Sequence, residues 1–288
     1  MLERFPEVKT TAILGDVCDV AATRHLFEQF KPAAVFHAAA YKHVPLLEGQ
    51  VREAIKNNAL GTRNIADLAH EFNAEKFVLI STDKAVNPSS LMGACKRVAE
   101  IYCQQLAGLS KTKFVTVRFG NVLGSAGSVV PKFQKQIKAG GPVTVTHPEM
   151  TRYFMTITEA TQLILEASAM GEDGRIYVLD MGEPVRIAEL AEKLIRLSGK
   201  EPGQDIEVVF SGLRKGEKLH EELFHDEENI TSTDYEKIHL AATRYVEPKK
   251  VMEVFESISE KMDSFDDGLV LCLETLVPEY QSQLESNT

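Results

Sequence analysis

The sequence predicts an α/β protein built around a parallel sheet, and three observations point there. Short continuous apolar runs recur at residues 34–37, 76–80 and 113–118. Segments with helical spacing of apolar residues separate them. Polar residues gather where the runs end, at His37 and at Ser81 to Lys84. Strands made of continuous apolar residues are covered on both faces, as in a parallel sheet flanked by crossover helices. Ligands of such sheets bind beyond the carboxyl ends of the strands, where those polar residues fall.

The elements follow in order. Residues 11–14, stopped by Gly15 and Asp16, predict a first strand. Asp19 stands where it can cap a helix over 20–30, and Pro32 ends that helical zone. Residues 34–37 read as another buried strand. Ala54, Ile55, Ile65 and Leu68 mark a helical pattern within 50–72, and the run 76–80 is a strand ending in Ser81. A helix over 91–106 and a strand over 113–118 come next. Beyond 121–127 the elements shorten, with strands at 143–146 and 176–179 and helices near 158–170 and 187–198. That half reads as a smaller lobe closing over the sheet ends. From Pro248 the chain is amphipathic, acidic and helical in pattern, with no chemistry of its own.

Composition bounds the function. The 288 residues are 44% hydrophobic and 26% charged, enough for a full globular core. A net charge of -10 argues against nucleic acid or an anionic membrane as partner. Cys18, Cys95, Cys103 and Cys272 form no Cys-x-x-Cys pair and read as buried or half-buried thiols in a reducing cytoplasm. No apolar run approaches the ~20 residues that span a bilayer. The expected location is cytoplasmic, with a parent protein that can sit at the cytoplasmic face of the inner membrane.

Several runs carry a resemblance. They are Gly15-Asp16-Val17, HAAAYKHVP at 37–45, STDKAVNP at 81–88, RFGNVLGS at 118–125, TRYFMT at 151–156 and GLRKGEKL at 212–219. In this order they resemble the extended short-chain dehydrogenase/reductase superfamily. Within it they are similar to the UDP-N-acetylglucosamine 4,6-dehydratases of bacterial polysaccharide and glycan biosynthesis. The resemblance covers roughly residues 14–223 and implies a Rossmann-like sheet, NAD or NADP as cofactor and a UDP-sugar as substrate. It also admits a homo-oligomer. It further implies that residues 1–125 form a nucleotide-binding core, 126–247 mainly the substrate lobe with late core strands returning, and 248–288 a helical tail.

By the same resemblance, Asp83 is the acid that protonates the departing C6 hydroxyl, Lys84 the base that removes the C5 proton, and Thr82 the partner of the C4 oxygen. A basic Lys84 must spend time neutral, so desolvation or a nearby cation is expected to lower its pKa. Turn capping by Thr82 or Asp83 beside a solvated Lys84 is the plain alternative. Met92 and Lys96 lie four apart on one helix face. Most of the superfamily has tyrosine at the first of these positions, and a thioether cannot move a proton. Methionine there resembles the large membrane-anchored branch that retains configuration at C5, although a lone Met on a helix is more often core. Lys96 would then hold the nicotinamide ribose, with Asp16, Val17, Ala38, Ala39 and Ser81 around the cofactor. Lys42, Asn121, Arg152, Arg214 and Glu217 are the candidates for the nucleotide-sugar, the arginines because a planar guanidinium suits phosphate. His37 and His43 lack the partners of a metal site.

No Gly-x-Gly-x-x-Gly turn occurs in the sequence. By the resemblance, the first two strands and first helix of the sheet lie ahead of Met1, which would leave residues 11–14 without a neighbouring strand. The chain as given is therefore expected to bind the cofactor weakly or not at all, to be inactive, and to be less stable than its parent. Two other readings stand beside the dehydratase: a sugar-nucleotide 4-epimerase, and a non-catalytic sugar-nucleotide-binding remnant.

Overall fold

A computed structural model describes residues 6–125, 127–224, 230–241, 245–263 and 266–282. The first half runs through α1 (Val20–Phe30), β1 (Ala34–His37), α2 (Val44–Leu47), α3 (Val51–Ala54), a π-helical segment (Ile55–Leu60), α4 (Gly61–Glu71), β2 (Lys76–Ile80), a 3-10 turn (Asp83–Ala85), α5 (Leu91–Ala107) and β3 (Lys113–Arg118). Shorter elements follow: β4 (Asn121–Val122), α6 (Val129–Lys138), β5 (Val143–Val145), β6 (Thr151–Arg152), β7 (Phe154–Met155), α7 (Ile157–Met170), β8 (Arg175–Leu179), β9 (Val185–Arg186), α8 (Ile187–Leu197) and β10 (Val208–Phe210). The last are β11 (Thr231–Ser232), β12 (Ile238–Ala241), α9 (Pro248–Lys261) and α10 (Asp266–Leu276).

The main sheet has the order β1-β2-β3-β8-β12-β11. Strands β1, β2, β3 and β8 are parallel, while β12 and β11 return antiparallel at the far edge. Successive strand side chains face opposite ways. Phe77 and Leu79 accordingly enter a core shared with α4, α5, α9 and α10, whereas Val78, Val115 and Val117 meet Ala160, Leu163 and Ala167 of α7 on the other face. This two-sided burial is why β2 and β3 read as unbroken apolar runs. Each such fully buried side chain contributes roughly 1.5–3 kcal/mol.

The outer lobe has its own core, where Phe133, Val143, Val145, Ile187, Ala191 and Ile195 pack between α6, α8 and the parallel pair β5–β10. Helices α9 and α10 are more than an acidic tail. They pack on each other and against α3 and α5, and add Phe255, Leu273 and Tyr280 to the main core. Cys95, Cys103 and Cys272 are buried, Cys18 is half-buried, and all four are free thiols. No helix among the described residues is long and apolar enough to cross a membrane.

Three expectations need correction. Residues 11–14 form no strand; Ile13 is 48% exposed and Leu14 fully so. A strand exists only by pairing, and β1, the sheet edge nearest in sequence, pairs with β2 alone. For the same reason 34–37 is not a buried strand: His37 is buried, but Phe36 remains 47% exposed. Finally, the helical stretch within 50–72 contains the π segment, which shifts the register between α3 and α4. Asn58 of that segment accepts from Tyr41 N at 2.8 Å and donates to Tyr41 O at 2.9 Å, so the irregular turn pins the loop that leaves β1. Ala126, within the glycine-rich loop read at 120–127 and at the expected boundary of the outer lobe, lies outside the described residues.

Candidate active site

The carboxyl end of β2 opens onto the segment from Ser81 to Ala85. Its backbone is fastened to the strand beside it, Ser81 N donating to Val117 O at 2.7 Å and Asp83 N to Phe119 O at 3.1 Å. Asp83 is 1% exposed. Its Oδ1 accepts from Thr82 Oγ1 at 2.8 Å and from Lys84 Nζ at 2.9 Å. Its Oδ2 is buried and has no partner among the described residues. From the other side Glu221 brings Oε1 to 3.3 Å from Lys84 Nζ, and Asn121 Oδ1 accepts from the same nitrogen at 3.4 Å.

These neighbours correct the expectation for the lysine. Burial does act to lower the Lys84 pKa, and Arg152 adds to that. The two carboxylates outweigh both, so its pKa is raised and the ammonium is the resting form.

Beneath this segment lies a buried charge cluster. Glu100, fully buried, accepts from Ser81 Oγ at 2.6 Å and Arg118 Nε at 2.8 Å through Oε1. Its Oε2 accepts from Arg118 Nη2 at 2.7 Å and Arg97 Nη1 at 3.0 Å. Burial alone would raise its pKa, but Arg118 and Arg97 bring it down to about 2.

Two cavities meet at Lys84 and Asn121. The larger, about 410 Å³, is lined by Ala38, Lys42, Ser81, Thr82, Met92 and Lys96. Lys96 is 4% exposed, and desolvation, opposed by Glu100, pushes its pKa down to about 8. It makes no hydrogen bond or ion pair among the described residues, so the cavity holds a buried ammonium ready for an acceptor. Met92 belongs to the main core and also lines the cavity wall.

The smaller cavity, about 240 Å³, is lined by Arg152, Arg214, Glu217, Lys132, Lys218 and Glu221. Arg152 is buried and donates to Thr151 O at 2.6 Å, Leu219 O at 3.2 Å and Lys218 O at 2.8 Å. It thereby holds the irregular segment that carries Glu221. The Arg214 guanidinium makes no hydrogen bond among the described residues, although its backbone N donates to Glu217 Oε2 at 3.1 Å. Burial and then Arg214 lower the pKa of Lys132, with Glu217 opposing. Five cationic side chains against two glutamates, Glu217 and Glu221, around one cleft form an anion-binding arrangement.

Most of the sequence-predicted residues therefore converge, but Asp16, Val17 and Ala39 reach neither cavity, and Asp83, buried beneath them, meets both only through its contact with Lys84. Asp16 accepts from Cys18 N at 2.9 Å, and Val17 packs on the main core near Gly61. His37 is a core residue. Its Nε2 lies 3.0 Å from Thr62 Oγ1, which donates to Asn58 O, so Nε2 carries the hydrogen. Burial and the Lys96 charge hold its pKa near 3.

Sequence reasoning missed Glu221, Lys132 and Gly93. Gly93 left a signal, because a glycine inside a helix costs about 1 kcal/mol relative to alanine. A Cβ there would sit 2.1 Å from Lys84 O, so only glycine lets α5 approach the Asp83–Lys84 turn. Gly93→Ala is expected to cost about 1–3 kcal/mol in thermal unfolding. The added methyl should also push the turn that carries Lys84 away from α5. An unchanged unfolding temperature would show that the contact is not needed.

The family model described as "Polysaccharide biosynthesis protein" matches residues 3–243. The chain is 57% identical over 233 residues to the capsular polysaccharide biosynthesis protein CapD of Staphylococcus aureus, covering 81% of this chain and 39% of that protein. It is 38% identical over 203 residues to a protein of Rickettsia canadensis described as UDP-glucose 4-epimerase, covering 69% of this chain and 58% of that one. The chain thus spans well under two thirds of the length of these relatives. Among solved structures, Pen from Bacillus thuringiensis superposes with a TM-score of 0.75 at 29% identity, over 88% of this chain and 85% of that one. DesIV of Streptomyces venezuelae, a dTDP-glucose 4,6-dehydratase solved with NAD and DAU bound, shares the fold at TM-score 0.66 and 20% identity, over 73% and 70% of the two chains. With this sheet, these cavities and these relatives, the chain belongs to the polysaccharide biosynthesis protein family of the extended short-chain dehydrogenase/reductase superfamily.

Proposed function

We propose that the chain carries the active site of a 4,6-dehydratase that converts UDP-N-acetylglucosamine to its 4-keto-6-deoxy product, with NAD or NADP as cofactor. The observation that carries this reading is the Lys84–Asp83 contact, 2.9 Å, at the junction of two cavities. The cofactor fit is tested by Lys96: a buried ammonium without a protein partner, beside Ser81 and Ala38, suits a ribose diol. The glycine turn for a pyrophosphate is not in the sequence. When bound, the cofactor takes a hydride from the sugar C4 and returns it to C6.

The chain's own residues handle the protons. A proton passing from Lys84 Nζ to Asp83 Oδ1 turns the ion pair into a neutral amine and a carboxylic acid. Once C4 is a ketone, the amine takes the acidified C5 proton. The C5–H electron pair forms the C5–C6 double bond, the C6–O bond breaks, and Asp83 protonates the departing oxygen to give water. Lys84 then returns its proton to C5 on the face from which it came, which retains configuration there. The C4 hydroxyl proton leaves to solvent as C4 is oxidised, and at the end Lys84 takes one proton back from solvent, which restores the ammonium. Asp83 Oδ2, buried without a partner, is the free oxygen of this acid. Arg214 and Lys132 hold the diphosphate in the smaller cavity.

The relative described as a UDP-glucose 4-epimerase favours a second reading, inversion at C4, which needs no base at C5. Mass spectrometry separates the two. UDP-N-acetylglucosamine and NAD are supplied to this chain and to the same chain preceded by a glycine-rich strand–turn–helix. The expected result is loss of one water from the sugar in the second case and none in the first. A product of unchanged mass would replace dehydration by epimerisation. Bound sugar nucleotide without any product would support a non-catalytic binding protein.

A further inference from the structure

Glu221 lies on the outer lobe, two residues beyond the GLRKGEKL run, yet it reaches the turn at the end of β2. Its side chain is 3% exposed, with Oε1 3.3 Å from Lys84 Nζ and 3.5 Å from Arg152 Nε. Its Oε2 is buried and has no partner among the described residues. A carboxylate in that position is costly unless a cation shares its charge. Arg152 cannot be that cation alone, because its terminal nitrogens already donate to Thr151 O, Leu219 O and Lys218 O. The arrangement leaves Glu221 aimed at Lys84 across the cavity from Asp83.

We propose that Glu221 is the positioning residue of Lys84, holding the ammonium from the outer lobe and setting the pH at which it gives up its proton. The inference rests on the reading of Lys84 as the C5 base. The charged groups facing that nitrogen are Asp83 from its own turn, Glu221 from the outer lobe and Arg152 from β6, with neutral Asn121 beside them. With Glu221, the acidic groups outnumber the cation. Without it, Asp83 alone offsets Arg152, and Lys84 loses its proton at lower pH. Arrival of a nucleotide-sugar between Glu221 and Lys84 would have the same effect, so the lobe that binds substrate also releases the base.

The test reads Lys84 directly. Trace acetylation by acetic anhydride across a pH series, followed by peptide mass spectrometry, gives the midpoint at which Lys84 becomes nucleophilic. The wild-type midpoint is expected above that of the surface lysines in the same digest. In Glu221→Gln it is expected to fall by about 1 to 3 pH units, the effect of one neighbouring charge at this range. An unchanged midpoint in the folded variant overturns the proposal. So does a wild-type midpoint below the surface lysines. If the glutamine variant does not fold, Glu221→Asp carries the test, since its shorter arm withdraws the carboxylate and must lower the midpoint. Turnover is not part of this readout. Water loss from the sugar with no midpoint shift removes Glu221 and leaves the dehydratase reading. A shift without water loss keeps the hold of Glu221 on Lys84 and removes that reading.

Discussion

Replacing Glu100 by alanine is expected to lower the free energy of unfolding by about 3–5 kcal/mol in a urea titration. Arg97 and Arg118 are 4% and 1% exposed, and Glu100 is the carboxylate to which both donate. Its removal takes the shared carboxylate from two buried guanidinium groups and the acceptor from Ser81. The pH dependence identifies the cause. The folded pKa of Glu100 is depressed from 4.5 to about 2, so its contribution is complete above 4.5 and is lost as the pH falls toward 2. The alanine variant should lose that part of the acid sensitivity, and its stability curve should be flatter between those limits. A loss under about 1 kcal/mol, with the acid slope intact, would mean that water reaches the arginines.

In the chain preceded by the glycine-rich strand–turn–helix, Lys84→Ala is expected to lower turnover by about 10²- to 10⁴-fold, the usual range for removing a general base. The loss should fall on kcat, because Arg214 and Lys132, the cations proposed to hold the diphosphate, remain in the cavity lining. Binding of UDP, followed by calorimetry, should stay within a few-fold of wild type. Exchange of the C5 hydrogen with solvent deuterium, when product forms in heavy water, should fall with turnover. An epimerase would keep its rate in this variant, so preserved turnover ends the assignment of Lys84 as base.

The parts of the fold that were legible in the sequence are those whose pattern reports burial on both faces. β2 and β3 were recognisable because Phe77, Val78, Leu79, Phe114, Val115 and Val117 all enter cores. The same rule misread 11–14, which forms no strand, because an apolar run records a capacity to pair, whereas a strand depends on a partner supplied from elsewhere; at 34–37 it found the strand β1 and overstated only its burial. The π segment was invisible for a related reason: one extra residue per turn leaves the apolar spacing nearly unchanged. At the site, Thr82, Asp83 and Lys84 were legible as adjacent residues in a recognisable run. Glu221 was not, because its role arises only when two distant segments meet, and Glu221-Glu222 reads locally as a solvated acidic pair. The raised pKa of Lys84 escaped with it, since its largest external cause is held 137 positions away in contact at 3.3 Å.

The cover that α9 and α10 place over α5 has a consequence for synthesis. Met92 and Lys96 stand on a helix whose outer wall is made of residues near the end of the chain, including Phe255, Leu273 and Tyr280. As the ribosome delivers the chain from the amino end, the sheet and α5 emerge long before that wall exists. The nascent protein must carry an uncovered apolar helix face until α9 and α10 have left the exit tunnel, and that interval is when chaperones or other copies would find it.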